Sequence, residues 1–180
     1  MEIEDRKLVA QVLAGQSDEF RVLVERHQQS IFRFASGMLG RREEAQDITQ
    51  ETFLAAFVNL SRFDSARASF STRLFTIARN RCINLLKRRR NSEDHDLELV
   101  ADVAMADPVL GEELSQQLDR ALASLPVDQR SAFVLAEIED LPYAEIAQIE
   151  QTTLGTVKSR IHRAKTRLRS LLEHQLGESK

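Results

Sequence analysis

The chain has 180 residues, of which 42% are hydrophobic and 29% are charged, and this is enough for one ordinary domain or two small ones. Its formal net charge is -3, and its one cysteine, Cys82, excludes an internal disulfide and a cysteine-rich zinc site. Because the sequence shows neither a signal peptide nor a long apolar span, we expect a cytoplasmic protein.

Apolar residues with helical spacing run through the first half of the chain. They predict helices over residues 4–14, over a long segment that Ser17 caps and Gly40 ends, over 42–60, and from about 72 to 90 after a polar loop. Few glycines, few prolines and few alternating apolar segments argue against a sheet. The sequence therefore predicts an all-α protein.

Charge divides the chain into three parts. Residues 1–90 carry 16 Lys and Arg against 11 Asp and Glu, residues 91–114 carry 8 acids and no base, and residues 115–180 carry 9 of each. The acidic stretch is followed by Pro108 and is too polar to bury much surface. We expect two small helical domains, 1–91 and 109–180, joined by a flexible acidic linker at 92–108.

The second half predicts a helix-turn-helix. Before it, apolar residues spaced from Leu110 to Leu125 predict one helix, and Pro126 separates this from a helix over 127–138. Pro142 suits the first position of a short helix that ends near residue 150, and Thr153 can cap the next helix after a polar turn. That last helix has an apolar stripe formed by Val157, Ile161, Ala164, Leu168 and Leu171.

The opposite side of this last helix is suited to DNA. Between residues 156 and 170 it has six basic side chains and no acidic one. Small residues at its start, Gly155, Thr156 and Ser159, are short enough to let the helix approach base edges. The alternative is an ordinary solvated basic helix, but the short first helix and the capped turn favour DNA binding. His162 is a weaker candidate, because a lone exposed histidine is more often inert.

Two features of the first domain are candidates for binding. Asp47, Gln50 and Glu51 share one face of the third helix and could bind a basic partner, although a plain solvated surface is the alternative. The loop after this helix and the start of the fourth helix carry phenylalanines beside serines and arginines, a combination that suits stacking on single-stranded bases. Phe63, Phe70 and Phe75 are these phenylalanines, and for Phe75 we favour a core position.

The fourth helix carries polar side chains away from its apolar side. Asn80, Asn84 and Lys87 follow one another at four-residue and three-residue intervals, and an asparagine amide can bond a base edge. The basic run from Lys87 to Arg90 also suits the C-terminal end of a helix, and both roles are compatible.

Four segments in this order resemble the extracytoplasmic-function (ECF) family of bacterial sigma factors. They are EEAQDITQETFLAAF, FSTRLFTIARNRCINLLKRR, LPVDQRSAFVLAEIEDLPYAEIA and GTVKSRIHRAKTRL. The resemblance spans almost the whole chain. It implies a sigma-2 helical bundle and a sigma-4 helix-turn-helix domain, without catalysis and without a cofactor or metal.

The resemblance also implies partners and roles. The partners are core RNA polymerase, through its largest-subunit clamp helices and its flap region, promoter DNA, and an anti-sigma factor; the free chain is expected to be a monomer. The residues matching polymerase docking are Asp47, Gln50 and Glu51. The residues matching minus-ten recognition and melting are Phe63, Ser69, Phe70, Thr72, Arg79, Asn80, Asn84 and Lys87. The residues matching minus-thirty-five recognition are Thr153, Thr156, Lys158, Ser159, Arg160 and Arg163.

One position departs from the family pattern. The family commonly has tryptophan where this chain has Arg73, and this chain contains no tryptophan. Either Phe70 or Phe75 supplies the aromatic support of the melting loop, or Arg73 contacts phosphate, and the sequence leaves these alternatives open.

Two other classes of protein compete with a sigma factor. A stand-alone helix-turn-helix regulator would normally dimerise to span two half-sites, and it leaves the features of the first domain unexplained. A nucleic-acid enzyme is poorly supported, because its carboxylates form no obvious pair and the sequence has no phosphate-binding glycine loop. Its four histidines, His27, His95, His162 and His174, are scattered along the chain.

Overall fold

The computed structural model describes residues 2–92 and 112–178, and the predicted acidic linker lies outside them from position 93 onward. Helices account for the regular structure of these two segments, without a strand, which confirms the all-α prediction. The first domain contains α1 (Glu2–Leu13), α2 (Glu19–Leu39), α3 (Arg42–Val58), a 3-10 turn (Leu60–Arg62) and α4 (Phe70–Ser92). The second contains α5 (Glu112–Ala123), α6 (Val127–Phe133), a π-helical turn (Val134–Ile138), α7 (Tyr143–Ile149) and α8 (Leu154–Glu178).

The ends of α2 test two sequence predictions. Gly40 ends the helix with φ of 66° and donates its backbone N–H to Ser36, as expected for a left-handed cap. The predicted Ser17 cap is wrong, because Asp18 occupies the cap position and makes no side-chain cap hydrogen bond. Backbone turns serve instead, with the Phe20 N–H donating to the Ser17 carbonyl at 3.1 Å.

The core of the first domain is built around α2. Its largest fully buried side chains include Leu23, Ile31, Phe34 and Met38, and Phe34 packs edge-on against Phe75 with ring centroids 5.7 Å apart. The core position that we favoured for Phe75 is therefore confirmed. Cys82 is also fully buried, and burial raises the pKa of its thiol to about 12, so the thiol stays protonated at neutral pH.

A buried polar cluster fixes α1 on α2. The carboxylate of Asp5 accepts a hydrogen bond from Arg26 at 2.6 Å and lies 2.8 Å from His27 Nε2. Asp5 and His27 are both buried, so these contacts supply the partners that the carboxylate loses on leaving water. They position α1 beside the loop that precedes α4.

In the second domain, the apolar stripe predicted for the last helix faces the core. On α8, Val157, Ile161, Ala164 and Leu168 are buried, and the last two pack with Leu122 of α5 and its neighbours. Pro142 is the N-cap of α7 and lies one residue before the position predicted for it. Helix boundaries commonly differ by this amount.

The two domains pack against each other. One apolar cluster includes α2 and α4 of the first domain together with Leu135, Ile146 and Val157 of the second. Arg130 of α6 also crosses the boundary, because its guanidinium donates to the Met38 carbonyl at 2.7 Å. The DNA-facing segments predicted for the two domains are therefore held close together. In the part of the chain that the structure describes, no helix is both long and apolar enough to span a bilayer.

Candidate nucleic-acid and polymerase interfaces

The polar face of α3 is exposed as the sequence predicts. Asp47, Gln50 and Glu51 are all exposed, and Glu51 forms an ion pair with Arg81 of α4. This pair fixes one end of the polar face, whereas Asp47 lies one turn earlier on the same face.

The same face continues into two apolar residues that the sequence analysis did not single out. Leu54 and Val58 are 64% and 69% exposed. They lie seven and eleven residues after Asp47, which is helical spacing, so they share its face. The signal was present in the sequence, since large apolar side chains at these positions interrupt an otherwise polar stripe. The surface, which we call the α3 face, is made of Asp47, Gln50, Glu51, Leu54 and Val58.

The loop between α3 and α4 folds over the aromatic residues. Phe70, the first residue of α4, is 2% exposed and packs edge-on against Phe20 and Phe63. In this arrangement its ring supports the loop from below and has no face available for a base. Phe63 is half-buried and is the aromatic residue of the loop nearer to solvent. A minus-ten contact by Phe63 remains a prediction, whereas the buried ring of Phe70 can serve the loop only as a support.

Arg73 occupies the position where the family commonly has tryptophan. Its guanidinium carbon lies 5.7 Å from the centroid of the Phe63 ring, and its Nη2 donates to the Asn59 carbonyl at 3.2 Å. This cation–π contact helps to hold the loop against α3 and α4. The structure therefore favours a supporting role for Arg73, with Phe63 and Phe70 as the aromatic part of that support.

The polar residues predicted on α4 are in two different situations. Asn80, Asn84 and Lys87 are exposed and available to a large partner. Arg79 has a side chain only 11% exposed and is engaged with the second domain. Its Nε donates to Ser131 at 3.2 Å and its Nη2 to Asp128 at 3.1 Å.

The helix-turn-helix has the predicted geometry. Thr153 Oγ1 accepts the backbone N–H of Thr156 at 3.2 Å, which confirms the cap on α8. In the turn before it, Gln151 adopts a left-handed conformation with φ of 51°. All the residues predicted for minus-thirty-five recognition are exposed or half-exposed. They are Thr153, Thr156, Lys158, Ser159, Arg160 and Arg163.

Arg160 differs from the other basic residues of α8, because its guanidinium is occupied within the protein. Its Nη1 donates to Glu150 at 2.7 Å and its Nη2 donates to Asp128 at 3.1 Å. These two carboxylates also bind Arg79. Arg79 of the first domain and Arg160 of the second are both candidate DNA contacts, and they share the same two acidic partners. Lys158 and Arg163 are more exposed and present their charge to solvent.

The second domain also reaches the loop predicted for minus-ten recognition. Glu145 of α7 accepts hydrogen bonds from Thr72 Oγ1 at 2.6 Å and from Ser69 Oγ at 3.2 Å. Ser69 also caps the first turn of α4 by accepting the Thr72 N–H at 3.0 Å. A cavity beside this contact is lined by both domains, with Asn59, Phe63 and Arg73 on one side and Gln148 and Gln151 on the other.

A further ion pair at the domain boundary joins Arg33 of α2 to Glu139. The pair is bidentate, at 3.0 Å from Nε and 2.8 Å from Nη2, and the Glu139 side chain is only 2% exposed. Burial raises the pKa of Glu139 above its ordinary value, and the hydrogen bond and charge of Arg33 partly oppose this shift. Sequence reasoning missed this pair, since nothing local links positions 106 residues apart.

Arg130 is the most deeply placed cation at the boundary. Burial and the nearby charge of Arg89 lower its pKa to about 10, so it stays charged at neutral pH. Its partners are backbone carbonyls, of Met38 in α2, of Ala123 at the end of α5 and of Leu125 just after that helix. Among the residues that the structure describes, no group of three or more His, Cys, Asp or Glu side chains is arranged to hold a metal ion.

Comparison with known proteins gives matches over both domains. Residues 23–92 match the family model described as Sigma-70 region 2, and residues 115–168 match Sigma-70, region 4. The chain is similar to the ECF RNA polymerase sigma factor SigW of Bacillus subtilis, at 36% identity over 96% of this chain and 98% of that protein. It is also similar to the RNA polymerase sigma-H factor of Pseudomonas aeruginosa, at 33% identity over 98% of this chain and 97% of that protein.

Two solved structures resemble the fold of both domains. One is the sigma factor RpoE of Bartonella quintana in complex with the anti-sigma factor NepR, with a TM-score of 0.74, 29% identity, and coverage of 86% of this chain and 97% of that one. The other is CnrH in complex with the cytosolic domain of CnrY, with a TM-score of 0.75, 26% identity, and coverage of 94% and 97%.

Proposed function

Since this chain belongs to the ECF family of sigma factors, we propose that it binds core RNA polymerase, directs it to specific promoters and promotes promoter melting. The observation that supports this proposal is the presence, on one chain, of the exposed α3 face and of exposed polar and basic residues on α4 and α8, one candidate DNA-binding surface in each domain. A stand-alone regulator needs only the helix-turn-helix.

Polymerase docking is assigned to the α3 face. Its Asp47, Gln50 and Glu51 suit the basic clamp helices of the largest polymerase subunit, and the exposed Leu54 and Val58 add an apolar contact at the same site. Complementary charge speeds and orients association, while burial of the apolar pair contributes to affinity. The second domain is assigned to the flap region of the polymerase.

Promoter contacts are assigned to both domains. In the first, the loop with Phe63 and Ser69, together with Thr72 in the first turn of α4, captures a flipped minus-ten base, and the exposed Asn80, Asn84 and Lys87 of α4 hold the neighbouring DNA. Flipping costs a few kcal/mol of unstacking, so the loop must return this through stacking and hydrogen bonds. In the second domain, the start of α8 enters the major groove at the minus-thirty-five element, with Lys158 and Arg163 near phosphate or base edges.

Regulation and chemistry follow from the same assignment. The activity is a sequence of binding steps without catalysis or a cofactor, and it takes place in the cytoplasm, where polymerase and promoter DNA meet. Control by an anti-sigma factor is supported by the similar structure of the sigma factor RpoE, which was solved in complex with the anti-sigma factor NepR.

The docking assignment is tested by charge reversal at Asp47. Purified chain and core RNA polymerase are mixed and their affinity measured, with the wild type compared with Asp47→Lys. We expect binding about ten times weaker for the variant, since a reversed charge facing a basic surface replaces attraction by repulsion. Asp47 is preferred over Glu51 because Glu51 is ion-paired to Arg81 and its loss would disturb α4.

The matched control is Glu25→Lys, which makes the same charge change at an exposed position on α2, where the carboxylate pairs with Arg21 of the same helix at 3.5 Å and joins no two helices. It should leave the affinity unchanged. Equal affinity of wild type and Asp47→Lys would refute the docking assignment, and failure of the wild type to bind core polymerase would refute the proposed function itself.

A further inference from the structure

An ion pair within the first domain joins the helix assigned to polymerase to the helix assigned to DNA. Glu51 belongs to the α3 face, and its partner Arg81 lies on α4, three residues before Asn84. We propose that Arg81 is a further DNA-contacting residue, which Glu51 holds in the free chain and releases to a phosphate when the clamp helices take that carboxylate. The inference rests on the proposed function, because it assumes that α3 docks on polymerase and that α4 contacts the minus-ten strand.

The pair lies at the rim of the packed interface between α3 and α4. Glu51 directly precedes Thr52 and Arg81 directly precedes Cys82, and both of these following residues are fully buried. Burial of the neighbours fixes the backbone of the two charged residues, so their side chains meet at the surface beside the core. The Arg81 side chain is 35% exposed and the Glu51 side chain is 53% exposed. Both are therefore accessible to a larger partner.

Arg81 shares a side of α4 with exposed polar and basic residues. Asn84 follows it by three residues and Arg88 by seven, which is helical spacing, and both are exposed. Asn84 is one of the residues proposed to hold the DNA. An arginine side chain is long enough to reach a phosphate one helical turn away, so a strand that passes over Asn84 comes within reach of Arg81.

The guanidinium of Arg81 is only partly used by Glu51. Its Nη1 donates to Glu51 Oε2, and among the residues that the structure describes no acceptor is found for its Nε or Nη2. A guanidinium has five N–H donors in a planar fork, which suits two oxygens of one phosphate. Because the pair is partly exposed to water, it is weak and readily exchanged for another partner.

Polymerase and Arg81 compete for the same carboxylate. A basic side chain of the clamp helices that approaches Glu51 neutralises the charge that Arg81 neutralises in the free chain. This exchange leaves Arg81 with an uncompensated positive charge beside Asn84, and it reduces the repulsion between Glu51 and a DNA phosphate. Polymerase binding and DNA binding therefore favour each other through Arg81, and the coupling acts equally in both directions.

Removal of Arg81 should change the two interactions in opposite directions. Arg81→Met keeps an apolar stem and removes the charge, so Glu51 is no longer neutralised and core polymerase should bind about three times more tightly. The complex of this variant with polymerase should bind DNA less tightly, because one phosphate contact is lost. A residue with a purely structural role would weaken both interactions.

The experiment uses full-length chains and two titrations. The first measures affinity for core polymerase. The second measures binding of the polymerase–chain complex to a fluorescent single-stranded DNA of degenerate sequence at several salt concentrations, with core polymerase alone as the baseline. Arg81→Met should reduce the slope of log affinity against log salt by about 0.7, the value for one phosphate on a single strand. Arg81→Lys keeps the charge and should restore the slope.

The matched control is Arg21→Met. Arg21 pairs with Glu25 of its own helix at 3.5 Å, and both side chains are exposed, so this variant loses the same charge and the same kind of ion pair. It should leave the polymerase affinity and the salt slope at the wild-type values. Circular dichroism and a thermal melt of each variant establish that it is folded.

The reciprocal variant tests the release of Arg81 without polymerase. Glu51→Gln keeps the shape of the side chain and removes the charge that holds Arg81. The free chain should then bind the same DNA about three times more tightly than the charge-matched control Glu25→Gln. In the Arg81→Met background, Glu51→Gln should give no gain beyond that control. If Arg81→Met does not fold, the comparison of Glu51→Gln with Glu25→Gln decides.

The outcomes separate this inference from the proposed function. If the wild type binds core polymerase but folded Arg81→Met matches Arg21→Met in polymerase affinity or in salt slope, the inference is overturned and the proposed function stands. Equal DNA affinity of Glu51→Gln and Glu25→Gln also overturns it. If the wild type does not bind polymerase, the proposed function fails, whereas a gain in DNA affinity that Glu51→Gln shows only when Arg81 is present still establishes Arg81 as a DNA contact.

Discussion

Arg79 of α4 and Arg160 of α8 are bridged by the same two carboxylates. Asp128 lies 3.1 Å from each guanidinium, and Glu150 lies 3.5 Å from Arg79 and 2.7 Å from Arg160. One arginine is a candidate minus-ten contact and the other a candidate minus-thirty-five contact. Both guanidiniums are therefore satisfied within the protein, and a direct contact with DNA would require each of them to give up a carboxylate partner.

The first prediction concerns Arg163, an exposed cation on the DNA-facing side of α8. Arg163→Ala should weaken binding to a duplex containing the minus-thirty-five element by about 1–3 kcal/mol if the guanidinium bonds a base edge. If it contacts only phosphate, binding weakens on all sequences and the salt slope falls by about one. Titrations at several salt concentrations measure both quantities.

The control for Arg163 is Arg169→Ala, an equal loss of charge at an exposed position further along α8. This residue lies farther from the start of the helix and should affect binding less. An unchanged affinity and salt slope in Arg163→Ala would exclude a direct contact.

The second prediction concerns Arg130, which donates to carbonyls of α2 and of the segment after α5. Arg130→Met should lower the free energy of unfolding by about 1–3 kcal/mol, because these buried acceptors lose their partner. Urea unfolding measures this. Arg120→Met, at an exposed position on α5, should change it by less than about 0.5 kcal/mol. Equal losses in both variants would contradict the role of Arg130 as a tie between domains.

The third prediction concerns pH and Glu139, whose pKa is raised by burial. A carboxyl with a raised pKa binds its proton more readily in the folded state than in the unfolded one. Its contribution to stability therefore increases as pH falls from the folded pKa toward the unfolded value, and decreases as pH rises through that window. Glu139→Gln removes this dependence.

The free energy of unfolding of Glu139→Gln, minus that of the wild type, should accordingly decrease between pH 7 and about pH 4.5. Denaturant unfolding of both proteins across this range gives the difference directly. A difference that stays constant or increases on acidification would show that the folded protein does not favour protonation at Glu139.

The fourth prediction concerns the start of α8. Thr153→Ala removes the side-chain acceptor of the Thr156 N–H and should lower the free energy of unfolding by about 0.5–2 kcal/mol. Thr166→Ala on the same helix removes only a bond to the His162 carbonyl and should have a smaller effect. If both threonine variants lose the same stability, the cap contributes nothing of its own.

The sequence predicts the helices well, because their signals are local. The apolar stripe of α8, the Thr153 cap and the Gly40 stop depend on residues within one or two turns, and the structure confirms them. The Ser17 cap fails because two adjacent polar residues compete for one position, and Asp18 takes it without a side-chain hydrogen bond.

The contacts between domains were not predictable in the same way. Arg33 and Glu139 are far apart in sequence and meet only because apolar residues of α2, α4 and α7 share one core. For the same reason the sequence presents Arg79 and Arg160 as two free cations, whereas the folded chain neutralises both. Site residues chosen by their spacing lie on the expected helices. Spacing alone, however, gives no information about which of these side chains are already paired with other groups of the protein.

Transcription in vitro tests the central claim most directly. Core RNA polymerase is supplied with this chain and a library of templates randomised upstream of the start site, and the transcribed templates are sequenced. We predict transcripts that depend on the chain and templates enriched in two separated elements, one near minus thirty-five and one near minus ten. Transcription no greater than that of core polymerase alone, or products without sequence enrichment, would contradict the assignment as a sigma factor.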